Sequence, residues 1–158
     1  MSAPFMVASS LVNLAVTVQD GAVTEILLHG RATRPPETPF EQQVAQELTE
    51  FLRGARSRFT FRVSPAGTPF ERRCWDALLE IPYGETQTYG DIARAIGTPN
   101  GARAVGSANH KNPIPIVIPC HRVVAAGGGL GGYGGGLELK RRLLALEQAG
   151  GNRVLNGE

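Results

Sequence analysis

A chain of 158 residues that is 42% hydrophobic and 19% charged is long enough for one ordinary domain or two small ones around a packed core. It has no run of eighteen apolar residues, and Met1 to Val18 has polar breaks and no basic leader, so neither a membrane span nor a secretory signal is expected. The expected location is the cytoplasm, or the nucleus in a eukaryote. The net charge of +2 does not by itself announce a polyanionic partner, although residues 69–158 carry all of the excess, ten Lys and Arg against eight Asp and Glu. Two cysteines, Cys74 and Cys120, make no disulfide framework, and together with His29, His110 and His121 they show none of the paired short spacings of zinc sites. No metal is expected.

The chain begins with a strand-like alternation, Leu11, Val12, Leu14, Val16 and Val18, then Gln19-Asp20-Gly21-Ala22, then Val23, Ile26, Leu27 and Leu28. Asp-Gly between two β-rich runs predicts a hairpin. After Arg34-Pro35-Pro36, the spacing of Phe40, Val44, Leu48, Phe51 and Leu52 predicts a helix over 39–54, stopped by Gly54. A short strand is expected at Phe59 to Val63, then a linker at Ser64 to Pro69. Beyond it the texture is helical. Phe70 to Ile81 carries apolar residues at helical spacing, and two short helices follow, Tyr89 to Ile96 closed by Gly97, and about Pro99 to His110 opened by a proline. Helix, glycine-containing turn and helix give a helix-turn-helix outline. The fold class expected is α/β (α+β): a small N-terminal α/β domain with a β-hairpin sheet over 1–66, then a mainly helical, winged-helix-like domain over 67–158.

The stretch from Asn112 to Val124 is the most informative. Pro113, Pro115 and Pro119 forbid a continuous helix and hold an apolar segment extended, which must be buried against something. It delivers Cys120 with His121 beside it. A thiol near its free pKa of about 8.5 is a modest nucleophile, and a nearby imidazole, directly or through one water, helps generate the thiolate. The residues alone leave a second reading open, a buried Cys packed as a small hydrophobe next to a satisfied His. Gly127 to Gly136 contains eight glycines with Leu130 and Tyr133, and reads as a mobile loop without the Gly-Lys-Ser/Thr ending of a phosphate loop. On the helix near Arg103, Ala102, Gly106 and Asn109 share one face with few large side chains.

The run Pro119-Cys120-His121-Arg122-Val123, with its Asn112-Pro113 start, resembles the active-site signature of the O6-alkylguanine-DNA alkyltransferases, also called methylated-DNA-protein-cysteine methyltransferases. The similarity extends from about Thr68 to Glu147. It implies a helix-turn-helix DNA-binding domain and irreversible, single-turnover transfer of methyl or other alkyl groups from O6-alkylguanine in double-stranded DNA to Cys120, with O4-alkylthymine as a further substrate to be tested. By the same resemblance, His121 is the base acting through water and Glu147 the carboxylate that orients it. Tyr89 hydrogen-bonds the guanine ring, and Arg103 fills the space left by an extruded nucleotide. Ala102, Gly106 and Asn109 line the face that enters a minor groove about 6 Å wide. Asn112 braces the active-site segment, and Tyr133 packs on the flipped base. Val123 completes the signature beside the pocket. Some relatives have Ser where Gly134 stands, so a side-chain donor toward O6 is missing here. No cofactor, no membrane and a monomer are implied. The rival readings are a non-catalytic lesion-binding relative, which lacks the Cys, a thiol hydrolase using Cys120, His121 and Glu147, and a sequence-specific DNA-binding regulator.

Overall fold

The computed structural model describes residues 3–155, with side chains described for residues 3–150. Strands β1 (Phe5–Val7), β2 (Leu14–Gln19) and β3 (Ala22–Leu28) form an antiparallel sheet in the order β1-β2-β3. Asp20 and Gly21 turn the hairpin at φ 52° and 75°, the paired left-handed conformation that Asp-Gly adopts readily. Phe5, Leu14, Val16, Val23 and Ile26 are buried with Val44, Leu48 and Phe51 of helix α1 (Pro39–Leu52). Thr38 and Glu41 close a reciprocal capping box at its start, an arrangement whose loss costs about 1 kcal/mol. Arg34 grips Glu41 with two hydrogen bonds of 2.9 Å and fixes the proline-rich link to the helix.

A second capping box, Thr68 with Glu71, starts α2 (Pro69–Leu79). The side chain of Trp75 is buried, and its Nε1–H donates to Ala108 O at 2.9 Å, fastening α2 to α4 (Ala102–His110). A Cβ at Gly67 would collide with the Trp75 ring, so the linker can pass there only as glycine. Helix α3 (Tyr89–Ala95) and α4 pack together across a turn in which Gly97 has φ 79°, giving the helix-turn-helix. Two two-residue strands, β4 (Gln87–Thr88) and β5 (Val123–Val124), pair in parallel and set the start of α3 beside the chain leaving Cys120. Helix α5 (Leu137–Leu155) is the last element among the described residues. One apolar cluster runs without a break from Phe5 to Leu143. The outer edge of β3 reaches the second half, Ile26 N–H donating to Pro113 O at 2.9 Å.

The α/β fold class with a hairpin sheet and a helix-turn-helix is the observed one, and the local differences have physical causes. The strand expected at Phe59 to Val63 is reduced to a single bridge, Val63 with Val23, because only Val23 N–H and Val23 O are paired, to Arg62 O and Ser64 N–H. The helix expected from about Pro99 starts at Ala102, since Gly101 N–H closes a turn on Thr98 O and delays the first helical bond. Helices α1, α2 and α3 each end one or two residues early, and β1, β4 and β5 were not expected. Among the described residues, no helix is long and apolar enough to cross a membrane, and no group of three or more His, Cys, Asp or Glu could hold a metal ion.

Candidate active site

The proline-rich segment is irregular and dry: Ile114, Ile116 and Ile118 are buried, and Ile118 N–H returns to Ile114 O at 2.9 Å. Ile116 has φ 76°, a conformation a β-branched residue adopts only under about 1–3 kcal/mol of strain, here held in place by burial on every side. Asn112 braces the loop from within. Its Nδ2–H donates to Ile118 O at 2.8 Å, and its Oδ1 accepts from Ile114 N–H at 3.0 Å. The segment ends in a single turn of 3-10 helix, Cys120–Arg122, so that Cys120, His121 and Arg122 point in three directions from one tight turn, all buried.

His121 is wholly buried and bonds Glu147 through Nε2, 2.5 Å from Oε2. Because an ionised carboxylate only accepts, Nε2 carries the hydrogen and Nδ1 has its lone pair free. That Nδ1 is buried and has no protein partner. Burial pushes the imidazole below its usual range, against the pull of Glu147 and with the help of Arg122 and Lys140, so His121 rests neutral. Glu147 comes from α5 and is itself buried. Despite that burial its carboxyl is held down at about 2, by the hydrogen bond from His121 and by Arg122, whose Nε and Nη2 donate to Oε1 and Oε2 at 2.8 and 3.0 Å. Gly84 N–H adds a further donor at 3.1 Å, and the remaining Arg122 fork donates to Ile81 O at 2.8 Å.

Cys120 lines a cavity of about 110 Å³. Burial pushes its thiol up to about 11, opposed by a hydrogen bond from the Asn112 side chain and by the charge of Lys140. A thiol so placed is protonated at rest and needs a base before it can attack. Tyr89, Gly106, Asn109, Asn112, Tyr133 and Gly134, each singled out from the sequence, line the same cavity. The Tyr133 hydroxyl and Asn109 Oδ1 are buried without protein partners, two further polar atoms at this cavity. Tyr89 is set by the Thr88 cap and the β4–β5 pair, and its ring meets α4 at Gly106 and the glycine loop at Gly131. Val123 lies behind, buried in β5, with Lys140 Nζ on its carbonyl at 2.6 Å.

On α4, Arg103 is exposed and Ala102 and Gly106 are partly so. Asn109 departs from the expectation that it shares an open groove-facing surface with them. It is 7% exposed and its Nδ2–H donates to Cys120 O at 3.4 Å, because the active-site turn covers the last turn of the helix where the side chain emerges. Cys74 is buried in α2 as a free thiol.

Four residues at this site were given no role from the sequence. Arg122 sits in the signature, but its ion pair with Glu147 has no sequence signal beyond that. Lys140 falls in Leu139-Lys140-Arg141-Arg142, which reads as a solvated charge run, yet it is fully buried. Leu28, at the end of β3, lines the cavity, and His29 follows at φ 56° with Nε2 2.9 Å from Gly135 O. Nothing local marks either.

A helix-turn-helix protein whose second helix backs a cavity containing a buried cysteine, with a carboxylate-held histidine next to it, is the class that this fold and site define. The family model described as 6-O-methylguanine DNA methyltransferase, DNA binding domain, matches residues 69–149. A methylated-DNA--protein-cysteine methyltransferase of Methanosarcina acetivorans is 49% identical over 108 residues, 68% of this chain and 69% of that protein. One of Mycolicibacterium paratuberculosis is 43% identical over 141 residues, 85% of this chain and 86% of that protein. The crystal structure of Mycobacterium tuberculosis OGT in complex with DNA superposes with a TM-score of 0.85 at 39% identity, covering 93% of each chain. The chain belongs to the 6-O-methylguanine DNA methyltransferase family.

Proposed function

We infer that this protein repairs DNA by direct reversal, moving an alkyl group from O6 of guanine in duplex DNA onto Cys120, once per molecule. The observation that carries the reading is the buried chain Arg122, Glu147, His121, which ends in an unpartnered Nδ1 one residue along from the cavity-lining Cys120. His121 Nδ1 takes the thiol proton through a water, and Glu147 and Arg122 stabilise the imidazolium that results. The thiolate attacks the alkyl carbon: the S–C bond forms, the C–O6 bond breaks and its electron pair leaves with guanine. Tyr89 gives its hydroxyl proton to the ring as the C–O6 bond breaks, so that guanine departs as the neutral base, and the tyrosinate is reprotonated by the proton that His121 took from the thiol. The thioether has no acyl carbon for water to attack, so the protein is spent. The electrons balance without a cofactor.

Within a duplex the O6 substituent is out of reach of so buried a sulfur, so the nucleotide must turn out into the cavity, at a cost of a few kcal/mol that a weakened lesion pair lowers. DNA is the partner. The exposed Arg103 enters the gap, while Ala102 and Gly106 let α4 approach a narrow minor groove, and Tyr133 packs on the extruded base. The protein acts as a monomer in the compartment that holds the DNA, with residues 1–66 and 67–158 as its two units. Intact mass after incubation with O6-methylguanine DNA tests this: a gain of one CH2 on Cys120, at one group per chain and absent in Cys120→Ala, is expected. Multiple turnover on an activated ester without a burst on DNA would replace it with a thiol hydrolase.

A further inference from the structure

Two side-chain amides line the cavity, and the protein uses them unequally. Asn112 spends both ends on its own segment, Nδ2–H donating to Ile118 O at 2.8 Å and Oδ1 accepting from Ile114 N–H at 3.0 Å. Asn109 spends one. Its Nδ2–H donates to Cys120 O, a carbonyl that can only accept, and this fixes which end of the amide faces the reactive turn. The other end, Oδ1, is buried and has no partner among the described residues. Buried polar atoms are almost always hydrogen-bonded, so one that is not calls for a partner from outside the protein. An amide oxygen cannot donate, and the missing group must therefore bring its own hydrogen. At 7% exposure, Asn109 offers this acceptor at the inner wall of the cavity and not on the outer face of α4.

Accepting Cys120 as the alkyl acceptor, we propose that Asn109 is a specificity-determining residue that reads the extruded base, its Oδ1 accepting from the exocyclic 2-amino group of O6-alkylguanine. Alkylation at O6 fixes the ring in the form that has no hydrogen on N1, so the amino group carries the only N–H bonds of the base, while N1, N3, N7 and O6 can only accept. The hydroxyls of Tyr89 and Tyr133, on the same wall, serve those acceptors, and burial keeps Tyr133 protonated for the purpose. The one donor of the base is left for the one amide oxygen that the protein leaves open. O4-alkylthymine differs on this point, because its substituent removes the hydrogen from N3 and no N–H remains on the ring. In this cavity it would leave Asn109 Oδ1 buried and unmatched. A site built around a hydrogen bond rejects an analogue that lacks the group far more strongly than an apolar pocket rejects a change of size. The cavity is thus a guanine site, and O4-alkylthymine a poor substrate.

The test compares full-length protein on three duplexes that differ in one base: O6-methylguanine, O6-methylhypoxanthine, which is the same base without its 2-amino group, and O4-methylthymine. Single-turnover transfer below saturation is followed by intact mass. Wild type should transfer from O6-methylguanine about tenfold faster or more than from either of the others, the effect of one hydrogen bond lost with its buried partner left unmatched. Asn109→Leu, similar in size and without polar atoms, should lose far more rate on O6-methylguanine than on O6-methylhypoxanthine, so that the ratio between the two falls toward one. A bracing role alone, through Nδ2 and Cys120 O, would slow both purines alike and keep the ratio. A folded Asn109→Leu protein with the wild-type ratio would therefore overturn the proposal. The wild-type comparison needs no variant: equal rates on the two purines would also overturn it. Losing the amino group weakens pairing and eases extrusion, so slower transfer from O6-methylhypoxanthine does not come from the duplex. A wild-type protein that takes no methyl group from any of the three sinks the repair reading, whereas normal transfer from O6-methylguanine with a purine ratio near one sinks only this one.

Discussion

Arg122 covers both oxygens of Glu147, at 2.8 Å from Nε and 3.0 Å from Nη2, while His121 shares one of those oxygens at 2.5 Å. The carboxylate that holds His121 is thus itself clamped by a cation, with all three groups out of solvent. Breaking a buried pair by removing one partner leaves the other charged and unmatched, at about 3–5 kcal/mol.

Arg122→Met should therefore cost more stability than its lost packing suggests. In a chain of this length each kcal/mol is roughly 2–4 °C, so the melting temperature should fall by about 6 to 20 °C. The variant should also transfer more slowly, because Glu147 would no longer be fixed against His121. Thermal melts and single-turnover transfer decide this; a loss of rate without loss of stability would show that the clamp serves only the chemistry.

Stability should fall in two stages as pH drops. Burial holds His121 neutral, its pKa below the ordinary 6.5, so below about that pH the unfolded chain binds a proton the native state resists. Glu147 is held at about 2 against an ordinary 4.5, so its contribution is complete above 4.5 and lost between 4.5 and 2. Both act in the same direction, and above 6.5 neither contributes a slope. Urea melts across this range check it, with His121→Gln expected to lack the upper stage. A wild-type stability that is level from 7 down to 5 would contradict a buried neutral histidine.

Neighbouring glycines of the loop should respond in opposite ways. Gly131 has φ 74°, and a Cβ there would lie 2.6 Å from the Tyr89 hydroxyl, so Gly131→Ala must strain the backbone and push the loop off Tyr89. Gly134 lines the cavity, and a Cβ there meets nothing within 4 Å, so Gly134→Ser fits without movement and adds a hydroxyl donor at the pocket. Transfer from O6-methylguanine should drop at least tenfold in the first and hold or rise in the second. Similar losses in both would mean that the loop is not the pocket wall.

The parts of this site that were legible in the sequence are those whose residue types are rare together. Cys120 beside His121, after three prolines, marks a candidate nucleophile, and the signature the two residues share with the family, not the pair alone, decided against a packed core thiol. The hairpin was readable because Asp20-Gly21 supplies its own conformation, and α1 because its apolar period and cap agree. Glu147 was reachable only by resemblance: a carboxylate in a polar helix reads as exposed, and its burial depends on Arg122 arriving from elsewhere in the chain. Lys140 reads as exposed for the same reason. Asn109 was misplaced because helical periodicity defines a face without saying what covers it, and the covering turn is itself irregular. Strands β4 and β5, two residues each, have no period to detect.

Leu28 leads to the last prediction, about which alkyl groups the cavity admits. It lies outside the family-matched residues 69–149, in a strand whose local role is to build the N-terminal sheet, yet its side chain lines the cavity that contains Cys120. A Cβ at Gly135 would come within 2.7 Å of Leu28 Cδ1, so the glycine loop is pressed against this leucine, and His29 holds the same glycine through its carbonyl at 2.9 Å. Leu28 is therefore the point at which the sheet reaches the cavity lining. Removing its three outer carbons in Leu28→Ala should enlarge the space beside the alkyl group while leaving the thiol, its base and the base pocket untouched. One methylene of difference in an apolar pocket is worth about 10- to 200-fold in discrimination, so transfer of a benzyl group should gain roughly tenfold relative to methyl. Leu28 is only half-buried, so the stability cost should be near the lower end of the Leu→Ala range, about 2 kcal/mol. Single-turnover rates on O6-benzylguanine and O6-methylguanine DNA, taken as a ratio, cancel any general loss of folded protein. An unchanged ratio with a lower melting temperature would mean that the first unit supports the pocket without shaping what enters it.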